Sequence, residues 1–191
     1  EDEKVAVRAQ VAQFAALGAP CIVYAECSNT VQGDVATPVN SRPKLSRDEV
    51  TDYARKLSEL ARWMAGEGMS LSYHHHMGSM IEDAEDIDWL MEGSSPEVTL
   101  LYDTGHLVFA GADPLAVLDK WGDRVRKYNR DHSTGKLWVA TTMPGYDDRK
   151  VRPGNGFARS RDGGDYYRQT WQAAIDSKPS WVVINSFNEW A

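Results

Sequence analysis

The stretch from Ser70 to His106 opens Ser70-Leu71-Ser72-Tyr73-His74-His75-His76-Met77-Gly78-Ser79-Met80-Ile81-Glu82 and closes Val98-Thr99-Leu100-Leu101-Tyr102-Asp103-Thr104-Gly105-His106. Each end begins as a short run rich in apolar and aromatic residues, the pattern of a buried strand. Four of the chain's five histidines fall between them. Side chains alternate along a strand, so His74 and His76 share one face while His75 takes the other. Glu82 and Asp103 fall at or just past the C-terminal ends of neighbouring strands. Imidazole nitrogens and carboxylate oxygens gathered there hold a divalent metal or move a proton. The alternative is structural: the histidines cap a strand and the acids cap helices.

Working outward, residues 1–17 place Val7, Val11, Phe14 and Leu17 at helical spacing and stop at Gly18. Cys21–Ala25 is a continuous apolar run, expected to be a strand covered on both faces and ending at Glu26. Residues 28–45 form a long polar loop, and Ser46-Arg47-Asp48-Glu49 is a capping box. It opens a helix whose inward face reads Val50, Tyr53, Ala54, Leu57, Leu60, Ala61 and Met64. Asp83 caps a shorter helix, and Asp113-Pro114 starts another. Leu137–Thr142 and Trp181–Ser186 read as further strands, with a loop over 143–164 and a helix over Asp165–Ser177 between them.

Five strands alternating with helices predict an α/β fold with a parallel sheet and right-handed crossovers. Polar residues gather after the strands: Glu26, His76, Glu82, Asp103, His106, Tyr146, Asn188 and Glu189. Chemistry at strand C-termini characterises (β/α)₈ barrels and also open doubly wound sheets. No Gly-rich phosphate fingerprint follows a strand, which favours the barrel. Five β/α units make only part of one, so the fold expected is a partial TIM-barrel-like sheet forming a single domain over 1–191. Its open edges predict self-association.

Composition sets further bounds. Hydrophobic residues make up 42% and charged residues 26%, ordinary for a water-soluble globular chain. No apolar run is long enough for a membrane span. The acidic start, Glu1-Asp2-Glu3-Lys4, does not read as a signal peptide. Two cysteines, Cys21 and Cys27, are too few and too close for a disulfide framework, and a reducing cytoplasmic setting is expected. A net charge of −7 argues against nucleic acid as a partner. The charge is uneven: residues 1–125 carry 21 acids against 10 Lys and Arg, and residues 126–191 carry 7 against 11.

Residues 1–125 resemble the myo-inosose dehydratases, xylose-isomerase-like barrels that act on sugars and cyclitols. The matching motifs are Val23-Tyr24-Ala25-Glu26-Cys27 with Val31-Gln32-Gly33-Asp34, Tyr73–Ser79 with Glu82, and Leu101–His106 with Gly111-Ala112-Asp113-Pro114. The resemblance implies a divalent metal, manganese or cobalt, that polarises a hydroxyketone and assists loss of water. Glu82 and Asp103 match two of its ligands, and His74, His76 and His106 the substrate region. Glu26 is expected as a further catalytic carboxylate, the alternative being a strand-end acid paired with a base.

Residues 126–191 resemble instead the C-terminal barrel strands of endo-α-mannosidase-type glycoside hydrolases. Trp138–Asp147 and Ser186-Phe187-Asn188-Glu189-Trp190 carry that likeness. It implies a catalytic role for Glu189 and substrate contacts for Asn188 and Tyr146. Glycoside hydrolysis uses a carboxylate pair, and the family's second member lies beyond Ala191. The two resemblances meet where the charge balance changes sign, so a chimera of barrel segments is expected. The leading functional expectation is a metal-dependent inosose-dehydrating lyase with an incomplete site. A glycosidase-like module and a non-catalytic chimera are the alternatives.

Overall fold

The computed structural model describes residues 2–114, 116–122, 130, 139–147, 149–150, 153–154 and 158–184. Helix α1 (Asp2–Ala16) leads through Gly18, whose φ of +70° suits glycine, into strand β1 (Cys21–Tyr24). Helix α2 (Arg47–Gly66) starts at the Ser46–Glu49 capping box and buries Val50, Ala54, Leu57, Leu60, Ala61 and Met64. Strand β2 (Ser70–His74), helix α3 (Ala84–Gly93) and strand β3 (Val98–Leu101) follow. The Asp83 cap proves to be a reciprocal box with Asp86. Next come α4 (Thr104–Phe109), α5 (residues 116–122) and β4 (Val139–Thr142). A small arm of β5 (Tyr146–Asp147) and β6 (Ala158–Arg159) precedes α6 (Asp165–Asp176) and β7 (Trp181–Ile184).

The long strands are all parallel. β1, β2 and β3 pair in that order, and β4 pairs with β7. A single parallel bridge between Tyr102 and Ala140 joins the two groups. Side chains reinforce the join: Thr104 Oγ1 donates to the Thr141 carbonyl at 2.6 Å, and Thr141 Oγ1 donates to the Tyr102 carbonyl at 3.2 Å. The result is an arc of five parallel strands with helices in the connections, a mixed α/β partial barrel.

Alternation sorts the arc's faces. Leu71, Tyr73, Val98 and Leu100 point toward the helices and join the core with Leu57, Met64, Ile87 and Leu90. Trp121 Nε1 donates to Asp88 at 2.7 Å and Tyr102 OH to the Pro114 carbonyl at 2.6 Å, tying α5 to this layer. Two expectations need correction. β1 is not covered on both faces, because Val23 is 51% exposed. The 143–164 segment is not loop throughout, since it forms the antiparallel β5–β6 pair.

Leu137, Trp138, the 125–126 join, most of Arg126–Gly135 and the Asn188-Glu189-Trp190 motif lie outside the described residues. No helix among the described residues is long and apolar enough to cross a membrane.

Candidate functional site

The register of β2 and β3 builds the site. His74 pairs with Leu101, so Asp103, two residues further on, arrives beside the end of β2. Asp103 also N-caps α4: its Oδ1 accepts from the backbone N–H of Gly105 at 2.8 Å and of His106 at 3.0 Å. Those two bonds fix the carboxylate and leave Oδ2 facing imidazoles. Oδ2 lies 3.5 Å from His74 Nε2 and 3.9 Å from His106 Nε2.

One donor atom each from His74, Asp103 and His106 lies within 4.8 Å of the others. A tetrahedral ion with bonds near 2.0–2.1 Å has donor–donor edges of about 3.3 Å. The observed separations, 3.5 and 3.9 Å to Asp103 and none above 4.8 Å, close onto one ion when the imidazoles move inward by up to about 1.5 Å. His74 Nε2 is buried, and its approach to Asp103 Oδ2 at 3.5 Å is too long for a well-formed hydrogen bond, which leaves the nitrogen able to turn to an ion. The residues present fit a divalent metal.

Electrostatics favour ligation. Burial alone would raise the Asp103 carboxyl, but His74, His106 and His75 outweigh it and hold the group well below the usual carboxylate range. Asp103 is ionised at neutral pH. Burial pushes His106 down to about 4 against the pull of Asp103. It pushes the fully buried His75 down to about 3. Both rings are neutral at pH 7 and carry lone pairs. His75 Nε2 accepts from the Asp103 backbone N–H at 3.3 Å, so this ring buttresses the carboxylate from behind. The alternation of His74–His76 stops at the end of β2, and all three rings turn toward His106, with centroids 5.2, 6.2 and 4.0 Å from it.

Glu82 stands in a different cluster. Its Oε2 accepts from the Gly78 N–H at 2.6 Å, and its Oε1 lies 3.2 Å from Arg42 Nε. The same buried guanidinium lies 2.8 Å from both Asp83 and Asp86. Burial raises the Glu82 carboxyl, with Gly78 and Arg42 opposing. Glu26 is half-buried at the end of β1, and its Oε1 accepts from the Ser28 N–H at 2.6 Å. Tyr146 lines a small cavity with Met77, Gly105, Met143 and Tyr166, next to the α4 cap. Asn188 and Glu189 lie outside the described residues.

Sequence reasoning did not find the roles of His75 and Arg42, nor the place of Tyr166 in the small cavity beside α4. The burial of His75 had a signal, its place on the opposite strand face. Arg42 had none, because the carboxylates it meets are reached only through the fold.

A protein described as inosose dehydratase from Geobacillus thermodenitrificans is 45% identical over 115 residues, covering 58% of this chain and 38% of that protein. Another from Lacticaseibacillus casei is 40% identical over 184 residues, covering 90% of this chain and 58% of that protein. The chain thus spans well under two thirds of these relatives. A xylose isomerase-like TIM barrel protein from Mycobacterium smegmatis, solved in complex with magnesium, superposes with a TM-score of 0.58 at 12% identity, covering 94% of this chain and 59% of that one. This likeness supports the barrel fold. A family model described as Glycosyl hydrolase family 99 matches residues 74–191. That span is more than half of the chain and takes in the whole histidine–aspartate centre, and the chain belongs to that family.

Proposed function

We propose that the chain carries a divalent-metal centre for sugar or cyclitol chemistry, with dehydration of an inosose-type hydroxyketone as the reaction it suits best. The observation that carries this reading is the convergence of His74, Asp103 and His106 at the C-terminal end of parallel strands. A bound Mn²⁺ or Co²⁺ would act there as a Lewis acid on the carbonyl and adjacent hydroxyl. The chain's own residues do the rest. Asp103, locked by the Gly105 and His106 N–H groups, supplies one fixed anionic oxygen. His74 and His106 supply ring nitrogens, and His75 keeps Asp103 in place. Glu26, at the same end of the sheet, is the carboxylate assigned to proton removal. The likeness to inosose dehydratases, which extends over 58% of the chain, supports the assignment.

A second reading, glycoside hydrolysis, is favoured by the family match over residues 74–191. That chemistry uses two carboxyl groups, one of them protonated as general acid. Asp103, held ionised by its imidazoles, is unsuited to the acid role. This reading therefore rests on Glu189 and a partner carboxylate.

The test is incubation of the chain with an inosose and Mn²⁺ or Co²⁺, following loss of one water by mass, beside a chromogenic α-mannoside. Metal-dependent water loss that disappears in Asp103→Ala supports the lyase. Mannoside cleavage indifferent to metal and to Asp103→Ala supports the second reading and overturns the first.

A further inference from the structure

We infer that Tyr166 is a further substrate-positioning residue beside this centre, its buried hydroxyl donating to one oxygen substituent of a polyhydroxylated ring, a sugar or cyclitol. The inference rests on the reading of the site as one for sugar or cyclitol chemistry and extends it to a residue and to the substrate group that residue reads.

The build of α6 puts the side chain there. Gly163 and Gly164, with φ of +63° and +98°, turn the chain from the β5–β6 arm into the helix. Tyr166 stands in its first turn, and Thr170 and Ala173 continue the same buried face. Thr170 Oγ1 donates to the Met143 carbonyl at 3.2 Å, which pins that face against the end of β4. One turn earlier, Tyr166 shares the walls of the small cavity with Met77, Gly105, Met143 and Arg159. Gly105 is a residue whose N–H fixes Asp103, so the cavity borders the centre.

The hydroxyl itself points to a ligand. Tyr166 is 1% exposed, and its hydroxyl is buried with no hydrogen-bond partner among the described residues. Leaving such a group unpaired is costly, and buried hydroxyls are normally matched to an acceptor. Tyr102, by comparison, donates to the Pro114 carbonyl. Burial pushes the Tyr166 hydroxyl up to about 12, with Arg159 opposing and the Asp103 charge adding. It therefore keeps its proton at neutral pH and is a donor. Arg159 Cζ lies 4.9 Å over the ring and steadies it from the arm side.

The size of the cavity names the group it takes. At about 10 Å³ it has room for a single oxygen and not for a ring. A hydroxyl or carbonyl oxygen projecting from a ring that lies over the centre fits. The aromatic ring of Tyr166 also walls a separate cleft of about 310 Å³ lined by Val108, Pro114 and Ala173. Tyr166→Phe keeps both walls and removes only the hydroxyl.

The experiment is calorimetric titration of the whole chain with myo-inositol and with an inosose, in the presence of Co²⁺, beside urea unfolding. Wild type should bind both compounds. Tyr166→Phe should bind them about tenfold more weakly, the loss of one hydrogen bond, yet unfold at the same or higher urea, because the hydroxyl it removes has no partner in the protein. A hydroxyl with a merely structural role does not divide the two readouts in this way. Unchanged affinity in Tyr166→Phe, with wild type binding, would overturn the role of Tyr166 and leave the reading of the site standing. Unfolding at lower urea would overturn it as well, by showing that the hydroxyl is bonded within the fold. Binding of neither compound to wild type would overturn the reading of the site and this inference with it.

Discussion

A methyl group added at Gly105 would stand 2.6 Å from Met143 Cε and 3.1 Å from its Sδ. Gly105 also donates the shorter of the two bonds that fix Asp103. Gly105→Ala should therefore cost about 1 kcal/mol, at the low end for overpacking, because the atom it meets is the end of a flexible methionine side chain. Shortening Met143 in the double variant Gly105→Ala/Met143→Ala should recover part of the loss, giving a non-additive cycle in urea unfolding. The neutral histidines make a pH prediction. His75 and His106 have folded pKa values of about 3 and about 4, below the ordinary 6.5. Between those values the unfolded chain binds protons that the folded chain does not, so stability falls as pH drops below about 6.5. In chelator, to keep metal out, Tm should decrease by on the order of 5–10 °C between pH 7 and pH 5. His75→Gln should flatten that slope, and an unchanged slope would show that His75 is not the group responsible.

At the scale of elements, the loop between β1 and α2 is fastened across the histidine stretch at several points. Val31 N–H donates to the Gly78 carbonyl at 2.9 Å, Thr30 bridges Ser79, and Arg42 reaches Glu82, Asp83 and Asp86. The Arg42 side chain is 8% exposed and Asp86 is fully buried. Arg42→Met should cost about 3–5 kcal/mol, because it leaves buried carboxylates without their cation. Reduced cooperativity of α3 in hydrogen exchange should accompany it, whereas a loss below 1 kcal/mol would show that water reaches these carboxylates freely. The contrast with the helix caps explains what was legible in the sequence. Ser46 with Glu49 is readable because its partners lie three residues apart, and the α2 core face because apolar spacing repeats every turn. Arg42 and Asp83 are 41 residues apart, and nothing in local spacing joins them. The end of β2 at His74 was equally hidden. Alternation assigns His75 to the opposite face from its neighbours, but only the register with β3 shows that it meets the Asp103 backbone.

For the whole molecule, the order β1-β2-β3, continued through the Tyr102–Ala140 bridge to β4 and β7, leaves β1 and β7 as the outer strands of the described arc. Val23 on one and Trp181, Val183 and Ile184 on the other are 46–66% exposed. Apolar surface is worth about 25 cal/mol per Å² when buried, so these side chains and the open edges favour pairing with a second copy. Light scattering at micromolar concentration should show a dimer or larger species, and Trp181→Lys with Val183→Lys should shift it toward monomer. A strictly monomeric wild type that binds no hydrophobic dye would contradict this. The same arc brings the strand C-termini together, and the account turns on what they hold. The most direct measurement is an anomalous difference map at the cobalt edge from crystals grown with Co²⁺. A single strong peak within bonding distance of His74 Nε2, Asp103 Oδ2 and His106 Nε2 is the result expected. A map empty there, or with its peak instead among Glu82, Asp83 and Asp86, would contradict the assignment.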